Sequence, residues 1–171
     1  MIMLTMSIAY ADSDKFFGKQ SDEPMEITSD RMEAYNEIKQ IVFSGNAMVK
    51  QGNKILKADK IILFYKKETE KKQKIRSIEN ETAGDLEKIE AKGNVSLDQG
   101  ERLAKGDEAV YFRDSGKVVM TGNAVLSEGK NTIKGDRVII FINEDRGVVE
   151  SNSKKQVRAI LYPKEKKKTG N

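Results

Sequence analysis

The pairs Gly45-Asn46, Gly93-Asn94 and Gly122-Asn123 each begin seven residues ahead of another glycine, Gly52, Gly100 and Gly129. Each of those glycines stands seven residues ahead of an aspartate, Asp59, Asp107 and Asp136. Asp30 precedes Gly45 by fifteen residues, as Asp107 precedes Gly122. The unit is therefore 29 residues long, the separation of Asp30 from Asp59 and of Asp107 from Asp136. Asp59 to Asp107 is 48 residues, one unit plus 19, and the surplus falls in the Lys/Glu-rich stretch 66–84, as an inserted loop would. A fixed period of this size marks a stacked repeat, in which no unit can bury its apolar face alone.

Inside the unit the apolar period is two. At −4, −2, +2 and +4 from the glycine stand Ile41, Phe43, Ala47 and Val49, then Ile89, Ala91, Val95 and Leu97, then Val118, Met120, Ala124 and Leu126. Alternation of this kind predicts strands with one buried face. Val42, Met48, Val119 and Val125 break it. The later part of each unit, Ile61–Tyr65, Ala109–Phe112 and Val138–Ile142, is apolar with less distinction between faces.

Gly45, Gly93 and Gly122 sit inside the alternation, so each Gly-Asn pair predicts a bulge or bend. Gly52, Gly100 and Gly129 lie in polar stretches and predict turns. Asp30, Asp59, Asp107 and Asp136 are expected at the corners, bonding turn amides. With two strands per unit, successive aspartates would stand about 9–10 Å apart, too far to share a metal or form a catalytic pair. The expected fold is all-β: a twisted jellyroll of two facing antiparallel sheets built from stacked units, open at both ends.

Composition narrows the chemistry. His and Cys are absent, which removes imidazole bases, thiolate nucleophiles, disulfides and Cys/His metal sites. No GxxxxGK[ST] stretch is present, so no phosphate loop is expected. The chain reads as a non-enzyme without metal or cofactor. Apolar residues are 37% of 171 and Trp is absent, a thin supply for a dry core. Residues 1–11 end in Ala9-Tyr10-Ala11 after an apolar run too short to span a bilayer, the form of a signal-peptide remnant cleaved after Ala11. The expected organisation is then a leader at 12–23, a β domain at 24–163 with the insertion at 66–84, and a basic tail at 164–171.

Several of these segments resemble one family. Pro24–Asp30 resembles the opening strand of the LptA (OstA) lipopolysaccharide-transport proteins. Val42–Ala47 with Ala58–Ile61 resembles their first full repeat, Met120–Asn123 with Ile133–Asp136 their last, and Val157–Pro163 with the basic tail their C-terminus. The resemblance implies a periplasmic protein that holds lipopolysaccharide acyl chains in a groove between two sheets. It implies end-to-end self-association, with LptC-like inner-membrane and LptD-like outer-membrane β domains as partners. With neither a membrane anchor nor a barrel in the sequence, the expected member is the soluble bridge.

On that reading the groove is lined by Met25, Ile27, Ile41, Phe43, Ala47, Val49, Ile61, Leu63, Ile89, Val95, Leu97, Tyr111, Val118, Met120, Leu126, Val138 and Ile140. The assembly edges are Met25, Glu26, Ile27 and Thr28 at the start and Val157, Arg158, Ala159, Ile160 and Leu161 at the end. Three alternatives stand beside it: another OstA-domain member of the same pathway, a polyanion- or nucleic-acid-binding module suggested by the +4 charge, and a β-solenoid without ligand. Nucleic acid is disfavoured because the aromatics fall in apolar strands, away from the Lys/Arg clusters, whereas a base-stacking platform interleaves the two.

Overall fold

Glycine opens each two-residue connection in the long strands, and its left-handed conformation sets the hairpins. Gly52, Gly100 and Gly129 have φ of 59°, 64° and 55°, the backbone that a two-residue turn needs at its first position. The computed structural model describes residues 23–66, 86–141, 144, 146–152 and 154–163. The signal-peptide remnant, nearly all of the leader, the insertion beyond Lys66 and the basic tail lie outside these residues.

The strands are β1 (Glu26–Thr28), β2 (Arg31–Tyr35), β3 (Gln40–Gln51), β4 (Lys54–Tyr65), β5 (Leu86–Gln99), β6 (Arg102–Phe112), β7 (Lys117–Glu128), β8 (Asn131–Phe141), β9 (Arg146–Glu150) and β10 (Arg158–Ile160). They form one antiparallel sheet in the order β1-β3-β4-β5-β6-β7-β8-β10, with β2 also on β3 and β9 also on β8. The sheet is open, and its hydrogen bonding is continuous. The two facing layers expected from the alternation are two halves of the same strands.

The bend that makes them so lies at the Gly-Asn pairs. Gly45, Gly93 and Gly122 have φ of 77–78°, and Asn46, Asn94 and Asn123 follow at 46–49°. Two successive left-handed residues swing the strand, and asparagine tolerates that region better than other side chains with a Cβ. Each pair stands opposite a single aspartate: Ser44 pairs Lys60 and Ala47 pairs Ala58, leaving Gly45 and Asn46 against Asp59. The same shift recurs between Lys92 and Val95 on β5 and between Thr121 and Ala124 on β7. The bulges therefore align into a crease across the sheet.

On β3, β5 and β7 residues four apart across the Gly-Asn pair face the same way, whereas on β4, β6 and β8 the inward alternation shifts by one residue at the aspartate, so that Ala58 and Ile61 are both buried. Phe43, Ile61, Ala91, Met120 and Val138 on one side of the crease join Ala47, Leu56, Val95, Leu97 and Ala124 on the other in one buried cluster. The crease closes the halves over this cluster. The half holding the two-residue turns is here the turn half, and the other, from which the insertion leaves, the loop half.

The strand following each turn begins before the apolar run that signals it. Ile61–Tyr65 is only the second part of β4, which passes through Asp59 from Lys54. The same holds for β6 and β8.

Candidate functional site

The crease is held by side chains. Asp30 Oδ2 accepts from Asn46 Nδ2 at 2.9 Å, Asp59 Oδ2 from Asn94 Nδ2 at 2.9 Å and Asp107 Oδ2 from Asn123 Nδ2 at 3.3 Å. The aspartates thus bond the asparagine of the neighbouring bend instead of the turn amides expected of them; the turns lie half a strand away. At the last corner no Gly-Asn pair remains, and Asp136 accepts the backbone N–H of Asn152 at 2.9 Å and Lys155 Nζ at 3.2 Å. The Asn152 amide, then Lys155, hold the Asp136 carboxyl below the ordinary aspartate value. Each crease glycine lies against its aspartate: a Cβ on Gly45, Gly93 or Gly122 would run into Asp30, Asp59 or Asp107.

The interior is continuous and apolar. Of the residues assigned to a groove from the sequence, Phe43, Ala47, Val49, Ile61, Leu63, Ile89, Val95, Leu97, Val118, Met120 and Val138 are buried in one cluster. Ile27, Ile41, Tyr111, Leu126 and Ile140 are half-buried against it. Met25 stands apart, exposed just ahead of β1. Leu56, Ala58, Leu86, Ala91, Ala104, Ala109 and Ala124 also belong to the cluster and are not among those groove residues. A signal exists for four of them: Ala91 and Ala124 stand in the period-two alternation, and Leu56 and Ala58 alternate with Lys57 when counted back from Asp59.

The interior is not uniform along the sheet. Around β4 to β6 it is closed, with Ile61, Val95 and Ala104 at 0–1% exposure. On β8 only Val138 is fully buried, while Ile133 and Ile140 are partly open. Next to the crease the residues are small: Ala47 pairs Ala58, Val95 pairs Gly106 and Ala124 pairs Gly135. Met120 reaches across the bend to Gly106, where a Cβ would meet its Cγ at 2.6 Å. Burial pushes the Tyr65 and Tyr111 hydroxyls above the ordinary phenol value, Arg113 drawing Tyr111 partly back.

The ends of the sheet carry exposed apolar groups. β1 and β2 share β3 at one end, and β9 and β10 share β8 at the other, so each edge is double. The sequence points only to the edges at 25–28 and 157–161, because Arg31–Tyr35 and Arg146–Glu150 are short and charged. Met25, Met32 and Tyr35 are exposed at the first edge, and Val157, Ile160, Leu161 and Tyr162 at the second. Among the described residues no group of three His, Cys, Asp or Glu side chains could hold a metal ion.

The outer face of the loop half reverses one argument drawn from the sequence. Strand register sets Phe64, Lys88, Phe112, Lys117, Phe141 and Arg146 side by side in one cross-strand row, aromatic alternating with cation. Separation in sequence did not carry into space. The rings are nevertheless occupied: Lys88 Nζ lies 4.1 Å from the Phe64 centroid and Arg146 Cζ 4.0 Å from that of Phe141. A base-stacking platform needs open ring faces.

Comparison with known proteins agrees with this architecture. Residues 26–146 match the family described as LptA/(LptD N-terminal domain) LPS transport protein. An uncharacterized protein of Rhizobium meliloti (strain 1021) is 33% identical over 67 residues, 38% of this chain and 36% of the relative, so the match spans about a third of that protein's length. Among solved structures, LptH, the LptA homologous periplasmic component of the conserved lipopolysaccharide transport device from Pseudomonas aeruginosa, superposes with a TM-score of 0.66. It is 17% identical, with 82% of this chain and 96% of that one covered. The fold is shared, and with the family match over most of the β domain the chain belongs to the LptA/(LptD N-terminal domain) LPS transport proteins, a non-enzymatic family.

Proposed function

We propose that this protein works in the periplasm as a bridge, holding lipopolysaccharide acyl chains between the two halves of its sheet. The observation that carries the reading is the single apolar face running from β3 to β8 beneath the crease. Removing one methylene from water is worth about 0.8 kcal/mol, so an acyl chain of about a dozen carbons gains roughly 10 kcal/mol from such a trough. No specific chemical group is needed for that. The partly open interior at β8, and the small residues along the crease, give acyl chains a place to enter beside a closed middle.

The double edges support the second part of the proposal. An edge strand with exposed Ile160, followed by exposed Leu161, is an aggregation hazard unless another sheet covers it. Stacking of similar β domains, from an LptC-like inner-membrane partner through copies of this chain to an LptD-like receiver, covers it. Delivery to the periplasm would follow removal of residues 1–11.

Photo-crosslinking from Phe43 and Leu126 in cells tests the carrier role. Capture of lipopolysaccharide from both positions is expected. Failure from both, with a photo-crosslinker that labels the folded protein otherwise, rules out the interior as the carrying surface.

A further inference from the structure

A sheet with one buried face ordinarily turns polar side chains to water on the other. The loop half does so only next to the crease, where Ser44, Lys60, Lys92, Glu108, Thr121 and Arg137 stand in one row. One row inward from the Phe–cation row, strand register aligns Val42, Ile62, Glu90, Val110, Val119, Ile139 and Val148 across seven strands. These residues have parity opposite to the buried cluster, so the row lies on the outer surface. Val42 and Val119, which break the alternation in sequence, belong to it. Its charges are Glu90, clamped by Lys88 Nζ at 2.7 Å and Lys92 Nζ at 3.6 Å, and, where β2 extends the row beside Val42, Glu33, paired with Arg31 at 2.8 Å. The corresponding rows of the turn half are mixed: Met48, Lys57, Ser96, Lys105, Val125 and Lys134 lie side by side there.

We propose that the outer face of the loop half is an interfacial surface that docks on an anionic lipid bilayer. The order of its rows fits that partner. An aliphatic stripe is bordered on the side away from the crease by Phe64, Phe112 and Phe141, which alternate with Lys88, Lys117 and Arg146. Aromatic rings and long cationic side chains belong at the depth where acyl chains meet headgroups. Lys88, Lys117 and Arg146 on this border, with Arg31, Lys60, Lys92 and Arg137 in the row on the crease side, outnumber Glu33, Glu90, Glu108, Glu144 and Glu150, and that excess complements anionic headgroups. Phe112, at 39% exposure, is the most open ring of the three.

A second copy of the chain fits less well. Seven strands about 4.8 Å apart, with a stripe roughly 10 Å wide, offer about 300 Å². A stable protein interface buries about 800 Å² on each partner. Docking here leaves the interior and both sheet edges free, so it is independent of what the interior carries.

Because the chain has no Trp, Phe112→Trp and Val125→Trp place single reporters on the two outer walls. Vesicles of phosphatidylcholine with phosphatidylglycerol should shift the Phe112→Trp emission to the blue, and brominated lipid should quench it. Val125→Trp should stay unchanged. Val119→Ser with Ile139→Ser in the Phe112→Trp background should weaken partitioning by at least about tenfold. Should that variant not fold, Lys117→Glu with Arg146→Glu is expected to abolish the shift without altering the core. The proposal is overturned by an unshifted Phe112→Trp at saturating vesicles, or by an equal shift at Val125→Trp. A shift that tracks protein concentration without vesicles overturns it in favour of self-association.

Discussion

Asp59 on β4 accepts a hydrogen bond from Asn94 on β5 at 2.9 Å, joining residues 35 apart in sequence. The same pairing joins Asp30 to Asn46 and Asp107 to Asn123, so the bond is the repeating element of the crease. Asn94→Ala is expected to cost about 1 kcal/mol, the worth of one partly solvated hydrogen bond to a charged acceptor. Gly93→Ala should cost more than that, because the new Cβ meets Asp59 and the backbone stays at φ 78°. Urea unfolding of the two variants checks the order. Equal losses would show that the crease does not depend on glycine.

The terminal corner responds to pH in its own way. The Asn152 N–H and Lys155 hold the Asp136 carboxyl below its ordinary value. A carboxylate with a depressed folded pKa contributes stability that is present above the unfolded value and lost as pH falls through the folded one. Lys155→Ala should raise the Asp136 pKa part of the way back, since the stronger Asn152 bond remains. Carboxyl-carbon NMR titration measures this, and an unmoved Asp136 would show that Lys155 is only a neighbour.

Close packing across the bend predicts a coupled pair. Gly106→Ala drives a Cβ into Met120 and against the Thr121 carbonyl oxygen, 3.0 Å away, an overpacking change of about 1–3 kcal/mol. Met120→Ala opens a cavity costing about 2–5 kcal/mol. The double variant should lose less than the two together, because the added methyl occupies part of the cavity. Strict additivity in thermal unfolding would contradict the contact.

Ile160 pairs with Thr132 in the three-residue β10. Ile160→Pro should weaken end-to-end association by at least about tenfold, proline being unable to donate to a ladder, while the melting temperature changes by only a few degrees. Sedimentation velocity and calorimetry together test this. Undiminished association would exclude β10 as a joining edge.

Much of the architecture is legible without coordinates because it is local. Period-two alternation assigns Phe43 and Ala47 to one face, and Gly-Asn within it marks a bend, since few other pairs tolerate two left-handed residues in succession. The 29-residue spacing repeats the bend on alternate strands. Sequence alone therefore determined the fold class, the turns, the bends and part of the buried set.

Register is a property of strands that meet only after folding, and it decided the rest. It gave Asp59 the side chain of Asn94 in place of a turn amide, and it doubled each edge with β2 and β9, whose charged sequences carry no strand signal. It also set Phe64 beside Lys88, far apart in sequence, and Phe112 beside Lys117, on either side of one short loop. Each strand's own pattern says which side of the sheet a residue occupies; only the energy of pairing with another strand says what stands next to it.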